Sequence, residues 1–167
     1  MALVLDGNGS MTVGNGDITG LATGALPSTV IGAGAVLQVV QAYSSGISTT
    51  TVGWVDSTLN ANITPISSSS KILILISAIF RCSSGRMGSR IVRNTSTVIH
   101  GQTEQLGVTN NPSMVTYHYL DSPSSTSSTN YRLDIYQASA GTMQTNDTGS
   151  NVGINSHNVI TLMEIAG

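Results

Sequence analysis

The sequence predicts an all-β protein: a jelly-roll β-sandwich head over residues 35–167 behind a glycine-rich amino-terminal attachment arm, residues 1–34. Short apolar and β-branched runs recur between turn signals at the roughly 8- to 12-residue spacing of sandwiches and barrels. No window of helical length carries a capped i, i+3, i+4, i+7 apolar stripe. Turn-forming and hydroxyl residues crowd the intervals: the 167 residues include 18 glycines, and Ser, Thr and Asn make up about a third.

The arm has glycine at roughly every fourth position and no run able to close a core. Gly7-Asn8-Gly9 and Gly14-Asn15-Gly16 are turn signals, because Gly and Asn reach positive φ at little cost. Each precedes an apolar–Thr pair, Met11-Thr12 and Ile18-Thr19, so two tight turns feeding short strands are expected. Leu3, Leu5, Met11, Val13, Ile18 and Leu21 then become apolar pegs without local partners, ordered only against another chain.

The head reads as a train of strands. Residues 35–43 alternate partly, and Thr49–Val55 is a Thr-rich run reaching Trp54. Leu59–Ile63 alternates cleanly, with Leu59, Ala61 and Ile63 on one face and Asn60 and Asn62 on the other. Residues 64–70 form a turn, and Lys71–Arg81 is apolar on both faces, as a central strand would be. Ser89–Arg93, Thr97–His100, Ser113–Leu120, Asn130–Gln137, Gly141–Thr145 and Asn158–Ile165 complete the set. His118, between Tyr117 and Tyr119, is expected to point away from both.

Charged residues are 8 % of the chain, against about 25 % in an average soluble domain. The apolar run at 71–80 excludes general disorder, and no apolar run approaches the roughly 18 residues of a membrane-spanning helix, so no membrane insertion is expected. The first residues lack the basic and apolar regions of a signal peptide, which implies cytoplasmic synthesis. A net charge of −2 gives no field for nucleic acid; the four arginines between 81 and 93 are split by Ser and Gly, with no aromatic interleaving. The seven aromatics leave a core of Val, Ile, Leu, Met and Ala. Low charge and a thin core together favour an obligate homo-oligomer of closed symmetry.

Nothing in the sequence has the spacing of an active site or a cofactor site. Cys82 is alone, which leaves no intrachain disulfide. His100, His118 and His157 stand in no metal-binding spacing, and the eight carboxylates are dispersed, without a nucleophile elbow or phosphate loop. No catalytic residue, metal or cofactor is therefore expected. Two polar loops, Gly101–Pro112 and Asp121–Asn130, are contact candidates through Gln102, Asn110, Ser124, Ser127 and Asn130. The final strand, Val159–Ile165, is expected near a symmetry axis through Ile160, Leu162, Met163 and Ile165, because both its faces are largely apolar; Glu164 is the exception and requires a partner or water.

Four stretches together carry a family resemblance. They are DGNG…NGDITGL in the arm, TVIGAGAVLQVVQ at 29–41, ITPISSSSKILI at 63–74 and the closing ITLMEIAG. In combination they resemble virion structural proteins of tailed phages, particularly marine and cyanobacterial ones. The resemblance implies a jelly-roll head similar in layout to trimeric C1q- and TNF-like heads, a homotrimer, and an arm that anchors to other virion proteins of the capsid or tail. It implies residence in the virion after synthesis in the host cytoplasm, and a host surface glycan or protein as partner for the loops. Only about 34 residues precede the head, which suits a short fibre, spike or tail-tip piece, or a capsid decoration (cement) protein, better than a long fibre. A virion-associated glycan-processing enzyme is the remaining reading.

Overall fold

The computed structural model describes residues 4–5, 11–12, 32–106, 111–145 and 158–167. The chain divides into two compact units, Met1–Ile31 and Gly32–Gly167. In the first, β1 (Val4–Leu5) and β2 (Met11–Thr12) pair antiparallel, with Leu5 opposite Met11, on either side of the segment containing the first Gly-Asn-Gly. Leu3, Val13, Ile18, Leu21 and the second Gly-Asn-Gly lie outside the described residues.

The second unit is all-β, with no helix among the described residues. Its strands are β3 (Val36–Ser44), β4 (Ser48–Thr49), β5 (Gly53–Ile63), β6 (Lys71–Cys82), β7 (Met87–Arg93), β8 (Thr97–Leu106), β9 (Ser113–Asp121), β10 (Thr129–Gln137), β11 (Met143–Thr145) and β12 (Asn158–Ile165). One antiparallel sheet runs β3-β12-β6-β9 and the other β5-β10-β7-β8. Successive long strands mostly alternate between the two sheets. That order, with four long strands in each, is the jelly roll, the sandwich architecture expected from the strand spacing.

β6 is the central strand that its apolar sequence implied. Its edge against β12 continues into the short strand β11, which pairs Phe80–Cys82 and carries β4 on its far side. Between them the side chain of Asn158 fills the missing rung: its Oδ1 accepts from the Ile79 amide at 2.9 Å. Even-numbered β6 residues Ile72, Ile74, Ile76, Ala78, Phe80 and Cys82 point inward and are buried. They meet Leu59, Ala61 and Ile63 of β5, Met87 and Ile91 of β7, Val115 and Tyr117 of β9, Tyr131, Leu133 and Ile135 of β10, and Ile160 and Leu162 of β12. At roughly 25 cal/mol per Å² of apolar surface removed from water, this single interior is the main source of the head's stability.

Two sequence expectations are corrected. Thr49–Val55 and Leu59–Ile63 are not separate strands, since β5 is continuous from 53 to 63. The ladder is interrupted at 57–59 by a β-bulge: the register with β10 jumps between Arg132 and Asp134, and Thr58 takes φ +64°, while burial keeps alternating from Asp56 to Ile63. Ser57 repairs the ladder there, its buried Oγ donating to the Leu133 carbonyl at 2.6 Å. The polar stretch starting at Gly101 is not all loop, because β8 extends to Leu106 and holds Gln102 opposite Ser89. Asn130, which ends the polar loop and opens the strand expected over 130–137, is part of β10.

Candidate assembly face

Strand alternation gives each sheet one face toward the interior and one away from it. On the outer face of β3-β12-β6-β9, register aligns Val39, Met163, Leu73 and Leu120 as one apolar row across all four strands. The next row is Gln41, Thr161, Leu75 and His118, followed by Tyr43, Val159, Ser77 and Thr116. Ile79 and Met114 extend the face at one end, and Val36 and Ile165 at the other. Val39 is 55 % exposed, Tyr43 61 %, Met114 64 % and Leu120 48 %. Five of the eight large apolar side chains most exposed among the described residues stand on this face. Its charged residues, Lys71 and Arg81, sit near the two ends of β6. Scattered exposed apolar residues are ordinary; a continuous row across a sheet marks an interaction surface.

The predicted contact residues divide between the two sides of β12. Ile160 and Leu162 are fully buried in the subunit's own core, which corrects their assignment to an intersubunit contact. Met163 and Ile165 are half-buried on the outer face. Glu164 lies on the inner side at the end of the sandwich, fully buried, and has the partners its position demanded. Gln38 Nε2 donates to its Oε2 at 2.5 Å and the Ile66 amide to its Oε1 at 2.7 Å. Burial opposes ionisation, but the hydrogen bonds from Gln38 and the Ile66 amide outweigh it and hold the carboxyl below its ordinary range.

The outer face of β5-β10-β7-β8 is different in kind. Asp134 is buried there beneath two arginines: Arg90 Nε and Nη2 donate to Oδ2 at 3.1 and 2.9 Å, and Arg132 Nε donates to Oδ1 at 2.8 Å. The Arg90 guanidinium lies 4.1 Å from the Trp54 ring centroid, and Trp54 packs at 5.1 Å against Tyr136. Asn130 faces the same way, its amide donating to Asn62 Oδ1 at 2.9 Å. A second network lies within the sandwich, where Arg93 and Tyr131 both bond Asp121, the latter at 2.7 Å. Burial and this bond to a carboxylate raise the Tyr131 pKa far above its ordinary value, so its hydroxyl stays protonated.

Of the remaining predicted contacts, Ser124 and Ser127 are exposed on the β9–β10 loop, Ser124 at φ +51°. Asn110 lies outside the described residues. His118 points outward and Tyr117 and Tyr119 inward, as the alternation required; His100 stacks on Tyr119 and edges Tyr117. Cys82 is fully buried. Among the described residues, no group of three or more His, Cys, Asp or Glu could hold a metal, and no helix is long and apolar enough to cross a membrane. The outer apolar row was missed in the sequence because it is spread over four strands far apart in the chain.

No protein-family model matches the sequence, and no curated protein matches it. Solved structures of infectious bursal disease virus are similar to it. The VP2 subviral particle shares 15 % identity at TM-score 0.41 over 78 % of this chain and 38 % of that one. T=1 particles of a VP2 mutant share 16 % at TM-score 0.42, over 77 % and 36 %. The Gx strain structure shares 15 % at TM-score 0.40, over 77 % and 36 %. This chain spans a little over a third of the length of these neighbours.

Proposed function

We propose that the protein is a non-enzymatic structural component of a virus particle, a homotrimeric short fibre or spike. Residues 1–34 anchor it to capsid or tail proteins, and loop residues such as Ser124 and Ser127 are turned toward the host surface. The observation that carries this reading is the outer face of β3-β12-β6-β9. Four strands about 4.8 Å apart, over roughly ten residues of about 3.3 Å, present ~600 Å² in projection. That is close to the ~800 Å² of accessible surface each partner contributes to a standard stable interface. The face has almost no charge, as the centres of such interfaces do. Its occupants are two further copies of this chain: around a threefold axis the three faces meet, one edge of each packing against the other edge of the next, so the apolar row of every copy is covered. In a trimer each loop is displayed three times, so weak contacts add up to firm attachment.

Sedimentation velocity tests the reading. The wild-type protein is expected as a trimer at micromolar concentration, and Val39→Lys with Leu120→Lys as a folded monomer. Wild-type protein that stays monomeric overturns it. A capsid decoration protein is the second reading, in which the same nearly uncharged face meets a capsomer; it predicts many copies on each capsid and heat-sensitive particles without them, whereas a fibre predicts few copies and failed adsorption.

A further inference from the structure

We propose that the outer face of β5, β10 and β7 binds a neutral glycan, a chain of uncharged pyranose rings. This inference deepens the host-attachment reading by moving recognition from the loops to a sheet, and it rests on that reading only for its biological purpose. Pyranoses combine apolar C–H faces with dense hydroxyls, so their sites pair aromatic rings with planar amide, guanidinium and carboxylate groups. This face has both sets, one at each end. Trp54 and Tyr136 form the aromatic end, the indole pinned by the Arg90 guanidinium at 4.1 Å. Asn60 and Asn62, both exposed, and half-buried Asn130 form the amide end, linked by the bonds Asn130 Nδ2 donates to Asn62 Oδ1 at 2.9 Å and Asn60 Oδ1 at 3.4 Å.

Charge selects the ligand class. Arg90 and Arg132 are balanced by Asp134 and Asp56, with Arg132 Nη1 3.8 Å from Asp56 Oδ2, so the face is polar with no net charge. An acidic sugar or a phosphate would find both guanidinium groups already engaged by carboxylates. Trp54 and Asn62 stand opposite Tyr136 and Asn130, six positions apart on β10, about 20 Å at roughly 3.3 Å per residue, which suits an extended oligosaccharide better than a single ring. The Arg90–Asp134–Arg132 bonds hold the groups in place before a ligand arrives, which lowers the ordering cost of binding.

Trp54 is the only tryptophan, so fluorescence excited selectively at tryptophan reads this face alone. Full-length protein is titrated at millimolar concentration with cellohexaose, maltohexaose and laminarihexaose, and with hexagalacturonate as the anionic counterpart. A saturable change with at least one neutral hexasaccharide and none with hexagalacturonate is expected. The double variant Asn60→Ala, Asn62→Ala changes exposed side chains only and is expected to weaken binding about tenfold, the worth of one or two hydrogen bonds. No response to any neutral probe overturns the proposal, as does a response to hexagalacturonate alone or one that the double variant leaves unchanged. Sedimentation separates the two readings: the double variant keeps the wild-type mass if this face binds sugar, and a loss of mass makes it a subunit contact and overturns the glycan site.

Discussion

Glu164 shows how one residue can make the head sensitive to acid. Its carboxyl is held below its ordinary pKa in the folded protein, so the unfolded chain takes up the proton first as pH falls. The stabilisation from this group is therefore complete at neutral pH, begins to fall near the ordinary value of 4.5, and is gone below the folded pKa. Glu164→Gln is expected to cost about 2 kcal/mol at pH 7, the scale of a hydrogen bond to a charged group. In denaturant melts that deficit should shrink as the pH falls below 4.5 and vanish below the folded pKa; a deficit independent of pH would mean the charge is irrelevant. Asp121 is a harsher case. Arg93 and Tyr131 both depend on it inside the sandwich, so Asp121→Ala should cost roughly 3–5 kcal/mol in the same melts, as expected when one member of a buried ion pair is removed.

Among the elements, the β7–β8 pair depends on close backbone approach at Gly101. A Cβ there would stand 2.7 Å from Arg90 Cα and 2.3 Å from Arg90 Cβ, and backbone cannot swing aside as a flexible side chain can. Gly101→Ala should destabilise the head by about 1–3 kcal/mol and speed amide exchange across β7, whereas Gly32→Ala, in open space, should do neither. Legibility in the sequence followed the same logic. Leu59–Ile63 and Lys71–Arg81 could be read directly because alternation and apolar run length report burial. The bulge at Thr58 could not: it is set by β10, whose pairing partner lies more than seventy positions away. Nor could β12 be assigned a side, because both of its faces are apolar and only the sheet order decides which one meets the core. The candidate faces were the least legible, as each is a register between distant strands.

For the whole molecule, every described side chain of the core cluster lies between residues 59 and 162, within the second unit. Removing residues 1–31 should therefore leave the head's melting temperature unchanged while abolishing attachment to particles, measured by calorimetry and by co-sedimentation. The proposed trimer predicts a melting temperature that rises with concentration, since association would stabilise the folded state by mass action. A further property follows from the way the head closes on itself. The Gly34 amide donates to the Ala166 carbonyl, and the Ala166 amide to the Ala35 carbonyl, both at 2.8 Å. The polypeptide thus enters and leaves the sandwich at one spot, like a loop of rope tied at its neck. The head can accordingly be spliced into a surface turn of an unrelated host protein, or re-cut at the β9–β10 loop with the old ends joined, without untying a strand.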